Sequence, residues 1–100
     1  MKRIAIRYRT RPESADENQR LIEEVFRELT EKAPSGVKYA ALRLDESVFL
    51  HLLAVEDGVD DSVASLHAFG AFRNGILNRC LEEPAQAVVQ VIGDFEMFSK

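Results

Sequence analysis

SVASLHAFGAFRNGILNRCLEEP, residues 62–84, is the stretch whose reading decides the fold. Val63, Leu66, Phe69, Phe72, Ile76 and Cys80 follow one another at steps of three and four. That spacing lays a single apolar stripe along a helix. Asp61 or Ser62 has the short polar side chain of an N-cap, and Glu82-Glu83-Pro84 marks the end. Gly70 and Gly75 interrupt the stripe at about 1 kcal/mol each relative to alanine. The segment is therefore predicted to kink or split near Gly70, a short helix leading into a longer one. An amphipathic helix needs a surface to cover, and the flanking chain supplies strands.

Residues 4–10 alternate, with Ile4, Ile6 and Tyr8 on one side and Ala5, Arg7 and Arg9 on the other, the pattern of a half-buried strand. Arg11-Pro12 ends it. Ser14-Ala15-Asp16-Glu17 reads as a capping box, and Leu21, Ile22, Val25, Phe26 and Leu29 continue as the dry side of a first helix. Ala33-Pro34-Ser35-Gly36 stops that helix. Residues 37–44 form a second strand, with Leu42 and Leu44 opposite Tyr39, Ala41 and Arg43. Asp45-Glu46-Ser47 is a hairpin connection. VFLHLLAV, residues 48–55, is apolar on both faces and so belongs at the centre of a sheet. Its uniformity leaves the face occupied by His51 open. Residues 56–61 are an acidic loop, and residues 85–95 alternate as a last strand.

The order strand, helix, strand, strand, helix, strand is the split βαβ pattern of a ferredoxin-like α+β domain. Right-handed crossovers place the first and third strands at the centre of a four-stranded antiparallel sheet, with both helices on one face. The other face is left bare, with Tyr39, Ala41, Val88 and Ile92 assigned to it. An apolar face of that size calls for a partner. Two sheets packed face to face, as a barrel-like homodimer, would keep both dry. Arg7 and Arg9 point to this face, Arg43 with them. They are expected either to form a network with Gln90, Asp94 or Glu96, or to hold an anion with their guanidinium forks.

One hundred residues make a single domain, 46% hydrophobic and 30% charged. Seventeen acids against 13 bases leave a net charge of −4. That balance argues against nucleic-acid binding, which rests on excess Lys and Arg. No apolar run approaches the ~20 residues that span a bilayer. MKRIAIRYRTR has charge where a signal peptide needs an apolar centre. The lone Cys80 is expected as a reduced, buried thiol in a cytoplasmic protein.

The whole chain resembles the dimeric α/β-barrel superfamily, close to the antibiotic biosynthesis monooxygenase-like group. The residues carrying the resemblance are IAIRYRTRPES, the element order, and the helix-breaking segment SLHAFGAF. It implies a homodimer with a small-molecule cavity between sheet and helices in each subunit. In the oxygenases of that group an asparagine, a tryptophan and a histidine cooperate. This chain has no tryptophan, and the inward positions of its first strand hold no asparagine. Only His67 stands near the family's helical histidine. Two functions follow: small-molecule binding without an intact oxygenase triad, or cofactor-independent oxygenation of a small aromatic or polyketide-like substrate with His67 as base.

For either, the candidate ligand-binding residues are Tyr8, Phe69, Phe72, His51, Arg7 and Arg9. Each also has a plainer role. Phe69 and Phe72 match the core stripe, the histidines can be structural, and the arginines can be paired. No carboxylate or cysteine stands at ligand spacing from either histidine, so no metal site is expected, and no cofactor is implied.

Overall fold

Alternation along the first strand puts Tyr8 and Thr10 inside and Arg7 outside, and the rest of the fold is arranged around that division. The structure, a computed structural model, describes residues 1–59 and 63–98. Strand β1 (Lys2–Thr10) leads through a 3-10 turn at Pro12–Ser14 into helix α1 (Ala15–Lys32). Strands β2 (Val37–Leu44) and β3 (Val48–Val55) form the hairpin, followed by α2 (His67–Arg73), the four-residue α3 (Ile76–Arg79) and β4 (Cys80–Val88). The sheet runs β2-β3-β1-β4, so the first and third strands are central as the order of elements implied. All its pairings are antiparallel, and one face carries the helices. Tyr8, Ala15, Ile22, Val25, Phe49, Val63, Leu66, Phe72 and Cys80 make one core cluster between the layers.

The second helical region departs from its sequence reading in its proportions, seven residues followed by four rather than short then long, and in its break, its end and the strand that follows. Gly70 lies inside α2, and the break falls at Asn74-Gly75, where Gly75 takes φ 79°. That left-handed backbone favours glycine, whereas Gly70 needs none of its freedom. The helix ends at Arg79, because Cys80 is already extended and opens β4. The last strand is accordingly Cys80–Val88 rather than residues 85–95. Pro84 is tolerated in it because β4 is an edge strand and its register to β1 shifts between Arg7 and Arg9, the irregular setting in which a missing N–H is harmless. The proposed caps Asp61 and Ser62 lie outside the described residues.

Ser14 does occupy the N-cap position of α1, but its side chain makes no capping bond. The preceding 3-10 turn supplies an αR backbone there in place of the extended one a capping box uses. Ala33 closes α1 in the left-handed region, its N–H donating to the Leu29 carbonyl. The start of α2 is served from α1, where Glu28 accepts from the backbone N–H groups of His67 (3.2 Å) and Ala68 (2.7 Å). Lys32 above all, and these N–H groups with it, hold the Glu28 carboxyl down at about 2.

Register also corrects the faces. Tyr39, Ala41 and Arg43 stand across from Leu53, His51 and Phe49 and so share the helix side. Tyr39 packs on Phe26 of α1 with ring centroids 4.9 Å apart. Arg43 donates to Asp16 (3.1 Å) and Gln19 (2.7 Å) of the same helix. The reason lies in α1, which offers an aromatic ring and two acceptors where water would otherwise lie. On the bare face are Lys38, Ala40 and Leu42 of β2 with Ala5, Leu50 and Leu52 of their neighbours. Val88 and Ile92 are exposed, at 86% and 97%, but neither belongs to the bare face of the sheet: Val88 stands across from Ile4 and so shares the helix side at the open edge, and Ile92 lies beyond the strand.

Candidate functional site

β1 and β3 bring Tyr8 and His51 onto the helix side two residues apart in register, since Tyr8 faces Phe49 and Ile6 faces His51. Tyr8 is 1% exposed and His51 4%, so both polar tips must find partners inside the protein. The Tyr8 hydroxyl lies 2.9 Å from Nε2 of His51. On the other side of the ring, Nδ1 lies 2.6 Å from the hydroxyl of Tyr39. Asn18 of α1 reaches the Tyr8 hydroxyl with its amide nitrogen at 2.8 Å. Arg79, at the end of α3, donates through Nε to Oδ1 of Asn18 at 3.1 Å. Five side chains from three strands and helices thus form one unbroken polar chain inside the core.

Aromatic rings enclose it. Phe49 stacks on Tyr8 at 5.5 Å, Phe72 lies 5.5 Å from His51 and 6.4 Å from Tyr8, and Phe69 touches Phe72. The Arg79 guanidinium sits 5.5 Å over Phe72 and donates to the carbonyls of Phe72 and Asn74. Burial pushes the His51 imidazole down to about 4 and the Tyr8 phenol above its usual value. Both are neutral at neutral pH. The Cys80 thiol at the edge of the cluster is free and is likewise pushed up by burial, so it is a poor nucleophile.

Four of the six expected ligand residues, Tyr8, His51, Phe69 and Phe72, are therefore together. The question left open for His51 is answered by its helix-side burial. They fill the space rather than line a void. Arg7 and Arg9 lie on the bare face and converge on one carboxylate, Glu82, at 3.4 and 3.0 Å. Glu82 replaces the expected Gln90, Asp94 and Glu96, because β4 begins five residues earlier than its predicted start. His67 is exposed at the start of α2; the histidine that meets Tyr8 is His51. Sequence reasoning missed Asn18, Tyr39 and Arg79. The signal for Asn18 was available, since it stands on the stripe of Ala15, Ile22 and Val25, where a polar residue needs a reason.

Two recesses adjoin this cluster. One of about 400 Å³ opens between α1 and the β2–β3 hairpin, floored by Phe49 and Ala41, walled by Ile22 and Phe26, with Gln19 and Arg43 at its rim. Its rings pack directly on the polar chain: Phe49 stacks on Tyr8 and Phe26 lies tilted against Tyr39. The other, about 560 Å³, lies by Arg3, Lys38, Leu52 and Ala54 with Val91 and Phe98 of the C-terminal segment. Among the described residues no group of side chains is arranged to hold a metal ion. No helix of them is long and apolar enough to cross a membrane.

A crystal structure of an antibiotic biosynthesis monooxygenase superposes on 93% of this chain and 100% of its own, with a TM-score of 0.74 at 16% identity. The fold is that of the antibiotic biosynthesis monooxygenase. A conserved protein from Methanosarcina mazei Go1 matches 89% of this chain and 90% of its own, TM-score 0.70 at 13% identity. Rv0793 from Mycobacterium tuberculosis matches 93% and 96%, TM-score 0.69 at 12% identity. No family model matches the sequence, and no curated protein does. The monooxygenase-like likeness is one of fold, carried by backbone geometry rather than by shared residues.

Proposed function

We propose that this chain is a homodimer that binds a small, flat, largely apolar molecule between α1 and the sheet. The observation that carries the reading is the Tyr8–His51–Tyr39 chain in the core. An apolar core of the same volume would be at least as stable as a buried polar network, so the fold by itself gives no reason to keep one. The recess between α1 and the hairpin supports the same reading. Its aromatic walls are the outer faces of the rings that hold the polar chain, and Arg43 at its rim suits a ligand oxygen.

Self-association is supported by the bare face. Ala40, Leu42, Leu50 and Leu52 form its centre, and exposed Val91 and Phe98 line one recess with Ala40 and Leu52. A second copy of the same face is the occupant that would cover all of it at once. The alternative, cofactor-independent oxygenation with His67 as base, draws support from the fold likeness. It would require oxygen uptake with a hydroxylated aromatic that is lost in His67→Ala.

Native mass spectrometry of the purified protein tests the main reading. A two-subunit ion carrying a co-purified molecule is expected. A lone subunit at tens of micromolar protein would overturn the homodimer. For the recess, Ala41→Phe should fill its floor and abolish the shifts that a small aromatic probe causes in amide spectra of α1 and β2. Unchanged shifts would place binding elsewhere.

A further inference from the structure

Arg79 is buried, and its hydrogen bonds go to neutral acceptors: Oδ1 of Asn18 and the carbonyls of Phe72 and Asn74. A guanidinium has donors only. Oδ1 of Asn18 must therefore face Arg79, and the amide nitrogen must face Tyr8, 2.8 Å away. The Tyr8 oxygen accepts that bond, so its single proton is given to Nε2 of His51 at 2.9 Å. A neutral imidazole has one N–H and one lone pair. With the lone pair on Nε2, the N–H is on Nδ1 and is donated to the Tyr39 hydroxyl at 2.6 Å.

We infer that Arg79 is the positioning residue of this site: its inability to accept sets the direction of every bond in the chain and holds His51 as the Nδ1–H tautomer. The opposite direction would have Tyr8 accept from both Asn18 and His51. Its hydroxyl proton would then face no acceptor at a site closed to water, which folded proteins rarely tolerate. The ordering does not depend on any ligand, so it stands or falls apart from the binding function. Two consequences follow. Neither ring nitrogen of His51 is available as a base to an incoming molecule, since Nε2 is occupied by the Tyr8 proton. The hydroxyl proton of Tyr39 is directed away from His51, so Tyr39 accepts from the ring and donates elsewhere.

Long-range proton–nitrogen correlation spectra of the two histidine rings in 15N-labelled protein at pH 7 read the tautomer directly, with exposed His67 as internal reference. The wild type is expected to show His51 protonated at Nδ1 and bare at Nε2; the reverse would overturn the inference. Asn18→Asp is nearly isosteric and provides Arg79 with a carboxylate, but it cannot donate to Tyr8. It is expected to turn the chain around and move the His51 proton to Nε2. A folded Asn18→Asp protein that retains Nδ1–H refutes the mechanism. Arg79→Gln, whose amide can face either way, should give both tautomers, and Arg79→Lys, a donor only, should restore one. A role confined to packing would lower stability in both and leave the tautomer unmoved. Should Asn18→Asp not fold, the wild-type spectrum and the two Arg79 variants still decide.

Discussion

The Tyr39 hydroxyl and Nδ1 of His51 meet at 2.6 Å across the β2–β3 hairpin, although Tyr39 is paired in register with Leu53 and His51 with Ala41. The bond is a diagonal one, made possible because both side chains lean over the same face. It ties a titratable ring across the β2–β3 hairpin, and its consequence is measurable.

The His51 imidazole is lowered from 6.5 to about 4. In the pH window between those values the unfolded chain binds a proton that the folded chain does not. Stability should therefore be fully present above pH 6.5 and fall as pH drops toward 4, by about 3 kcal/mol from this group. Urea unfolding of wild type and His51→Gln at pH 7 and pH 4.5 checks this; the difference between the two proteins should shrink at the lower pH. A constant difference would mean that His51 titrates normally.

Phe72 is 7% exposed and touches Tyr8, His51 and Phe69. Phe72→Ala is expected to cost about 3–5 kcal/mol, as a large ring removed from a filled core does. A loss below about 1 kcal/mol would mean the ring walls an open pocket.

The two helical glycines should respond in opposite directions. Gly70 lies inside α2 with nothing within 4 Å of an added Cβ, so Gly70→Ala should stabilise by about 0.4–1 kcal/mol. At Gly75, φ 79° makes the same change unfavourable, by about 1 kcal/mol or more. Thermal melts of the pair locate the helix break: a stabilised Gly75→Ala would move it back to Gly70.

Arg7 is half exposed and shares Glu82 with Arg9. Exposed pairs of this kind contribute little to a monomer, so Arg7→Leu should leave the unfolding midpoint nearly unchanged. If two bare faces meet, the same change should weaken self-association measurably in sedimentation. An unaltered dimer would remove Arg7 from the interface.

The architecture was legible because its signals are local. The alternation of residues 4–10, the stripe of α1 and the short Asp45-Glu46-Ser47 connection each declare one element, and their order leaves one arrangement. What was not legible depends on pairing across the chain. Which side Tyr39 and Arg43 take is decided by Phe26, Asp16 and Gln19 on α1, not by β2 itself. The start of β4 at Cys80 was hidden because Leu81-Glu82-Glu83-Pro84 reads as a helix end by propensity, while the sheet edge and its bulge override that reading. The site followed the same rule. Tyr8, Phe69 and Phe72 announced themselves by strand and helix period, whereas Arg79 and Asn18 meet from opposite ends of the sequence and have no shared pattern to betray them.

Pro84 has one more effect. A strand at the rim of a sheet is a template on which further chains can add, one after another, into fibres. Within Cys80–Val88 that template carries a residue with no amide hydrogen to offer, set in a stretch already bent out of register. Growth along that rim is blocked at the middle of its length. Along the β4 rim, copies of this chain are steered away from an open pairing that does not end.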